Sequence, residues 1–442
     1  MTLRLFVTAS IQIVRLATIY MLKLMSLAIR RLLLAVVLLG IVSATVLRGS
    51  SCVVFGSDGI IVVEAGQSIA EAVNEASAGD TVFVKSGFYS ESAIVVDKAV
   101  SIVGESAVST VVDGGGTAQV LFQVVASDVL IENLTLQNTN TAPLDQAPAI
   151  RVYDAAGVRI QNVSVLSATV GVELRSSNST EIAYCEISES SSAGIYLRDG
   201  SDNSIIVGNT IANNTRGIVF ADTASQFNRI YHNNFENNTQ QLWSFGGVNH
   251  FDDGYPSGGN YWSDFQAVDF KNGVNQDQNG SDGILDEGFS SDNYPLANPA
   301  SNLGVQVNGT EFVVEVSSNV TLATWSFDVS GKSLNLLVGG QQGATSAVRM
   351  EIPIGLLSCG NLTSWVVSFG NNGSEKLQYL PMQDAMNTYL YFTHSGGGEG
   401  EIRIMGTTLL PELSLLTTFT ILLFATALAC GLAWKRSHAS AR

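Results

Sequence analysis

Residues 129 to 138 read VLIENLTLQN, and the same phrase returns as VRIQNVSVLS, TEIAYCEISE, SIIVGNTIAN and RIYHNNFENN. Aligned on the first isoleucine, the copies place Ile131, Ile160, Ile182, Ile206 and Ile230 at steps of 29, 22, 24 and 24 residues. A second apolar column, Leu136, Val165, Ile187, Ile211 and Phe235, keeps those steps. Between the copies runs an independent series, AIRVYD from Ala149, GVELRS from Gly171, GIYLRD from Gly194 and GIVFAD from Gly217, stepping by 22, 23 and 23. Each phrase alternates apolar and polar, as a half-buried strand does, and each is too short to form a core alone. Short strands at a period in the low twenties fit a solenoid in which every coil buries its apolar column on the next. A helical repeat would show a period of about 3.6. The expectation is an all-β chain built on a parallel β-helix, its coils about 4.8 Å apart.

The same register aligns asparagines. Asn213 with Asn237, and Asn214 with Asn238, fall at equal positions on successive coils, with Asn138 in the first column and Ser167 and Glu189 interrupting it. Asn tolerates the left-handed conformation of a sharp corner, and stacked amides can bond along the axis, so these columns read first as structural corners. Ahead of the first coil, Ile69, Ala72 and Val73 recur at helical spacing, Gly79-Asp80 stops the pattern, and Thr81 to Val84 resumes a strand. An amphipathic helix here would close the open end of the solenoid.

Charge is distributed unevenly. Nine of the 22 basic residues lie in residues 1–48 or after Trp434, whereas all 39 acids lie between. The strongly acidic middle argues against nucleic acid, whose phosphates require clustered Lys and Arg. Leu32 to Val46 is an uncharged run behind Arg30-Arg31, the layout of a secretory signal, with the natural start expected at Met21 or Met25. Leu413 to Trp434 is 22 residues without a charge, followed by Lys435-Arg436 and a basic tail, 435–442. That length crosses a bilayer, and the basic tail should remain cytoplasmic, so the expected address is a single-pass cell-membrane protein with its bulk outside. Ten Asn-x-Ser/Thr sequons favour a glycoprotein, and the four cysteines, Cys52, Cys185, Cys359 and Cys430, form no disulfide or metal-type spacing.

The lid phrase, AVSIVGE, TVVDGGG, the Asn-rich coils and the later GGNYWSDF and SDNYPL resemble the NosD-type right-handed β-helix proteins common on archaeal surfaces. The resemblance covers about residues 60 to 298. It implies a pectate-lyase-like fold class, whose members include polysaccharide lyases, hydrolases, epimerases and proteins without known activity. Related proteins carry a DxNxDGxxD run between the two closing motifs. Asp277, Asn279, Asp282 and Asp286, with Gly283 for a tight turn, match it in type, with Ser281 as one additional residue, and make a Ca²⁺ site the expectation here. Copper, which the family's name suggests, is not expected: His232, His250, His394 and His438 and the seven Met show no close ligand spacing.

This makes 58–298 a capped β-helix with an acidic closing loop. From Leu303 to Thr408, seven alternating segments between Gly, Asn and Ser turns read as a small Ig-like β-sandwich. It resembles membrane-proximal domains that end in an IPE or LPE stretch, here Leu410-Pro411-Glu412.

For chemistry, the coil register puts Arg175 and Arg198 in one outward column and Asp199 and Asp222 in the next, with Asp154 two coils from Asp199 and Tyr196 on the same face. Carboxylates on adjacent coils, about 5 Å apart, match a retaining glycosidase, and Arg could bind a uronate. Asp199-Gly200 and Asp222-Thr223 equally read as turns, and no His lies near in sequence. Trp243, Tyr261 and Trp262 read as core of the closing coils. The leading expectation is a non-enzymatic surface protein binding a polysaccharide or cell-surface glycan; the alternative is a polysaccharide lyase, hydrolase or epimerase.

Overall fold

The computed structural model describes residues 59–140, 147–370, 374–395 and 398–409. The signal-like segment, the apolar run 413–434, the basic tail, Leu410-Pro411-Glu412, Cys52, Cys430, His438 and the Asn372 sequon lie outside the described residues. Among the described residues no helix is long and apolar enough to cross a membrane.

Three parallel sheets of eight, eight and seven short strands wind into one solenoid. In the first sheet Ile131, Ile160, Ile182, Ile206 and Ile230 are register neighbours. In the second, Leu136, Val165, Ile187, Ile211 and Phe235 are. All ten side chains are fully buried and share one core. The repeat therefore is the register, and apolar burial is what holds the coils in it.

Corners explain the polar columns. Asn133, Asn162, Tyr184, Gly208 and His232 all have positive φ at the turn from first to second sheet. Asn138, Ser167, Glu189, Asn213 and Asn237 do the same from second to third. The residues beside some of these corners form buried ladders. Asn214 Oδ1 accepts the Ser190 N–H at 2.8 Å, and Asn238 Oδ1 in turn accepts the Asn214 N–H at 2.9 Å. Asn209, Asn233 and Asn260 make a parallel ladder in which each Oδ1 accepts the N–H one coil before it, from Cys185, Asn209 and Asn233. Burial without these bonds would strand several amides. The glycines that open the third-sheet phrases have a packing cause: a Cβ on Gly171, Gly194 or Gly217 would stand 2.4 to 2.9 Å from Ile187, Ile211 or Phe235.

The helix Ile69–Glu75 closes the N-terminal end, capped by Ser68 Oγ accepting the Glu71 N–H, with Ile69, Ala72 and Val73 buried against the first coil. At the other end Tyr261–Trp262 pairs with the Asn234–Glu236 strand, and Trp262 extends the inner column beyond Phe235. The Asn260 ladder ends on Asp292, whose Oδ2 accepts the N–H of Asn260 at 2.7 Å and of Trp262 Nε1 at 2.9 Å. The motifs GNYW and DNYP thus meet as a single terminal plug.

Two five-stranded antiparallel sheets follow and enclose a second core that includes Val316, Met350 and Leu390 from one sheet and Leu336, Val367 and Ile404 from the other. This is the β-sandwich.

Candidate functional site

An open groove of about 800 Å³ runs across the coils on the outer face of the second sheet. Its floor is a column of register neighbours, Thr135, Ser164, Glu186, Thr210 and Asn234. At one end Thr135 Oγ1 donates to the Ala107 carbonyl. At the other, Asn234 clasps Ala300 through both its amide atoms, each at 2.8 Å, so the first sandwich strand, Ala300–Val307, forms a wall. Ser164, Glu186 and Thr210 between them retain solvent exposure. Tyr184 flanks this stretch from its corner, 40% exposed. Its ring lies against Gly208, where a Cβ would come within 2.7 Å. Asn302 fixes the wall by donating to the Gly208 carbonyl at 2.9 Å. The lining thus offers hydroxyls, amides, one aromatic face and a single carboxylate, Glu186. Coil-by-coil alternation of the outward residues carries this signal in the sequence, but the wall comes from residue 300 and beyond, which no repeat arithmetic brings there.

The third-sheet face gathers the residues expected to carry chemistry. Arg175 and Arg198 are register neighbours. Arg175 Nε pairs with Asp199 Oδ2 at 2.6 Å and its guanidinium lies 5.4 Å from the Tyr153 ring. Arg198 Nη2 pairs with Glu173 Oε1 at 2.5 Å and lies over Tyr196. Glu173 is 1% exposed, pairs also with Arg151, and is the residue that sequence reasoning passed over. Asp222 accepts the backbone N–H of Asp199 with Oδ2 and those of Ala224 and Ser225 with Oδ1. Burial pushes its carboxyl up, but the N–H donors of Ser225, Asp199 and Ala224 outweigh this and hold it below the ordinary range. A general acid needs the opposite shift. Asp154, Ser176 and Asp199 share a left-handed corner, which makes this column a turn by conformation. Trp262 is buried core; Trp243 is half-buried beneath Arg216, and Tyr261 is half-buried.

In the acidic loop, Lys271–Asn272 pairs antiparallel with Gln278–Asn279. Asn279 Oδ1 accepts from Lys271 Nζ at 2.7 Å, while Asp286 Oδ1 accepts the N–H groups of Phe270 and Lys271. Asp282 is buried and caps the Ile284 N–H; Asp277 is exposed. Asp269, unnoticed in the sequence, accepts the N–H of Asp282 and of Gly283. Burial first, then the charges of Asp282 and Asp286, push Asp269 up to about 7.

Residues 73–267 match the family model described as "Periplasmic copper-binding protein (NosD)". That stretch runs from the capping helix to just past Trp262. The solenoid is a NosD-like right-handed β-helix. No curated protein matches the chain. Pectate lyase Pel9A is similar to it over 42% of this chain and 56% of its own length, at 11% identity and a TM-score of 0.36. The catalytic domain of a GH87 alpha-1,3-glucanase in complex with nigerose matches 50% of this chain and 49% of its own, at 15% identity and TM-score 0.31. An alginate lyase from Paenibacillus sp. str. FPU-7 matches 43% and 76%, at 13% and 0.29. Nothing about chemistry passes from such distant likenesses to the NosD-like coils. Burial pushes the Cys185 thiol up to about 12 and its Sγ donates to the backbone carbonyls of Ile160 and Ala183, while Met382 Sδ accepts from the Tyr255 hydroxyl.

Proposed function

We propose that this chain is a non-enzymatic surface protein whose β-helix binds a neutral polysaccharide in the second-sheet groove, carried outside the cell on the apolar run 413–434. The observation behind this reading is the groove itself, a polar column advancing about one coil, some 4.8 Å, per step beside the exposed ring of Tyr184. Hydroxyl and amide groups at such a spacing suit successive sugars of an extended chain, and an aromatic face suits a pyranose. Glu186, the single carboxylate in the lining, disfavours uronates. On the third-sheet face the arginines a uronate would need are engaged with Asp199 and Glu173.

The test is a glycan array followed by calorimetry on the full chain. Binding of neutral polysaccharides weakened about tenfold by Tyr184→Ala, with no release of reducing ends, supports the reading; tenfold is about 1.4 kcal/mol. Binding that survives Tyr184→Ala unchanged, or product release abolished by Asp199→Ala, overturns it and favours the enzymatic alternative.

A further inference from the structure

Glu315 and Glu351 stand directly opposite one another on adjacent antiparallel strands of the sandwich, an arrangement that like charges disfavour. Both are largely withdrawn from water, with side chains 7% and 15% exposed. Facing them is His232, the left-handed corner residue of the last full coil, itself 6% exposed. His232 Nδ1 lies 3.1 Å from Glu315 Oε2 and 3.8 Å from Glu351 Oε2. Each residue offers one ligand atom, and the three atoms lie within 4.8 Å of one another, the one such group of His, Cys, Asp or Glu among the described residues.

The atoms behind these three are already arranged. His232 Nε2 lies 3.2 Å from both the carbonyl oxygen and the Oγ of Ser257, which holds the ring with Nδ1 facing the carboxylates. Glu351 Oε1 accepts from Asn387 Nδ2 at 2.7 Å, which turns Oε2 inward. Glu351 Oε2 and Glu315 Oε1 are buried with no hydrogen-bond partner. An unpartnered buried carboxylate oxygen costs more than a lost hydrogen bond unless a cation meets it. Arg349, 1% exposed, is the nearest fixed cation, but its Nη2 donates to the carbonyls of Pro256 and Ser257 and its guanidinium sits 5.0 Å from the Tyr389 ring.

We propose that His232, Glu315 and Glu351 bind a divalent ion of the zinc class, clamping the end of the solenoid to the sandwich. Two donors about 2.1 Å from one tetrahedral ion stand roughly 3.4 Å apart, and the separations from His232 Nδ1 bracket that value. One imidazole with two carboxylates and a water is a familiar borderline donor set; Ca²⁺ and Mg²⁺ would want oxygen ligands in larger number. The consequence is a joint assembled from residues 83 and 119 positions apart in the chain, so the ion would bind only after both parts have folded.

The experiment uses the full chain in detergent, stripped with chelator and titrated with Zn²⁺, with Co²⁺ as spectroscopic probe. The expected result is one equivalent of Zn²⁺ retained through gel filtration, a raised thermal midpoint, and visible Co²⁺ bands of low-symmetry nitrogen–oxygen coordination. Asn387→Ala should weaken Zn²⁺ by 10- to 100-fold, as loss of a ligand's supporting bond does. His232→Gln and Glu351→Gln should remove the Co²⁺ bands, and millimolar Ca²⁺ should not compete. Should His232→Gln fail to fold, Glu351→Gln and Asn387→Ala decide the matter. Stripped wild type that takes up no stoichiometric Zn²⁺, or variants that hold it with unchanged affinity and spectrum, would show a plain ion network at this joint and overturn the proposal.

Discussion

Trp262 lies flat on Phe235, ring centroids 4.4 Å apart and planes 6° from parallel, while its indole N–H reaches Asp292. The last rung of the apolar column is thereby stacked and hydrogen-bonded at once. Removing the ring leaves a large cavity under the closing coil and takes one of its donors from the Asp292 carboxylate, which keeps those of Asn260 and Tyr294. Trp262→Ala is expected to cost about 3–5 kcal/mol, read as a lowered urea midpoint. Trp262→Phe should recover part of that by keeping the stack without the hydrogen bond.

Asn213 and Asn214 are neighbours with opposite roles. Asn213 is an exposed left-handed corner; Asn214 is buried, with its amide donating to the Ile187 carbonyl at 3.0 Å and to Asn238 Oδ1 at 3.0 Å. Asn213→Gly should change stability by about 0.5 kcal/mol or less, because glycine accepts the same conformation. Asn214→Ala should cost about 2–4 kcal/mol, since it leaves the Ser190 N–H without its acceptor and removes the amide donor to the Ile187 carbonyl. Equal effects from the two substitutions would contradict this division.

The two columns also mark how far the sequence could be read. Repeat spacing delivered the axis, the inner residues and the corner position, because side-chain burial in a solenoid recurs with the coil. It could not distinguish corner from ladder, since Asn213 and Asn214 differ by one place in an unbroken repeat. Asp292 was visible as part of a motif, but its task as acceptor for Asn260 and Trp262 depends on a chain reversal across some 30 residues. Glu173 escaped notice because it sits where Tyr196 and Val219 stand in the next coils, so no column singled it out. His232, Glu315 and Glu351 are distant in sequence and meet only through the packing of solenoid on sandwich.

Burial pushes Asp292 up to about 7 despite N–H bonds from Asn260, Trp262 and Tyr294, and Asp269 reaches about 7 as well. In the unfolded chain both titrate near 3.9. Between about pH 4 and pH 7 the folded state therefore holds protons that the unfolded state has released, and stability falls as pH rises, by at most about 1.4 kcal/mol per unit for each group. Asp113, Asp222 and Asp384 are held below the ordinary range by hydrogen bonds, so their contribution is lost as pH falls below about 4. Urea midpoints should peak at mildly acidic pH, near 4 to 5, and decline toward neutrality. Asp292→Asn should flatten that decline; a midpoint that rises steadily from pH 4.5 to 7.5 would refute the assignment.

Glu173 and Asp199 each pair with an arginine, yet they should respond differently to removal. The Arg175–Asp199 pair is exposed, 41% and 47% at its side chains, and such pairs contribute about 0–1 kcal/mol. Glu173 is nearly inaccessible and pairs with both Arg151 and Arg198, so its loss removes a buried charge that two guanidinium groups share. Glu173→Ala is expected to destabilise by about 3–5 kcal/mol and Asp199→Ala by less than 1 kcal/mol, measured by chemical denaturation. Because Asp199→Ala should leave the fold intact, it also serves as the clean variant for deciding whether the third-sheet face turns over any polysaccharide. A large loss of stability on Asp199→Ala would mean that its pairing with Arg175 contributes to the third sheet far more than its exposure allows.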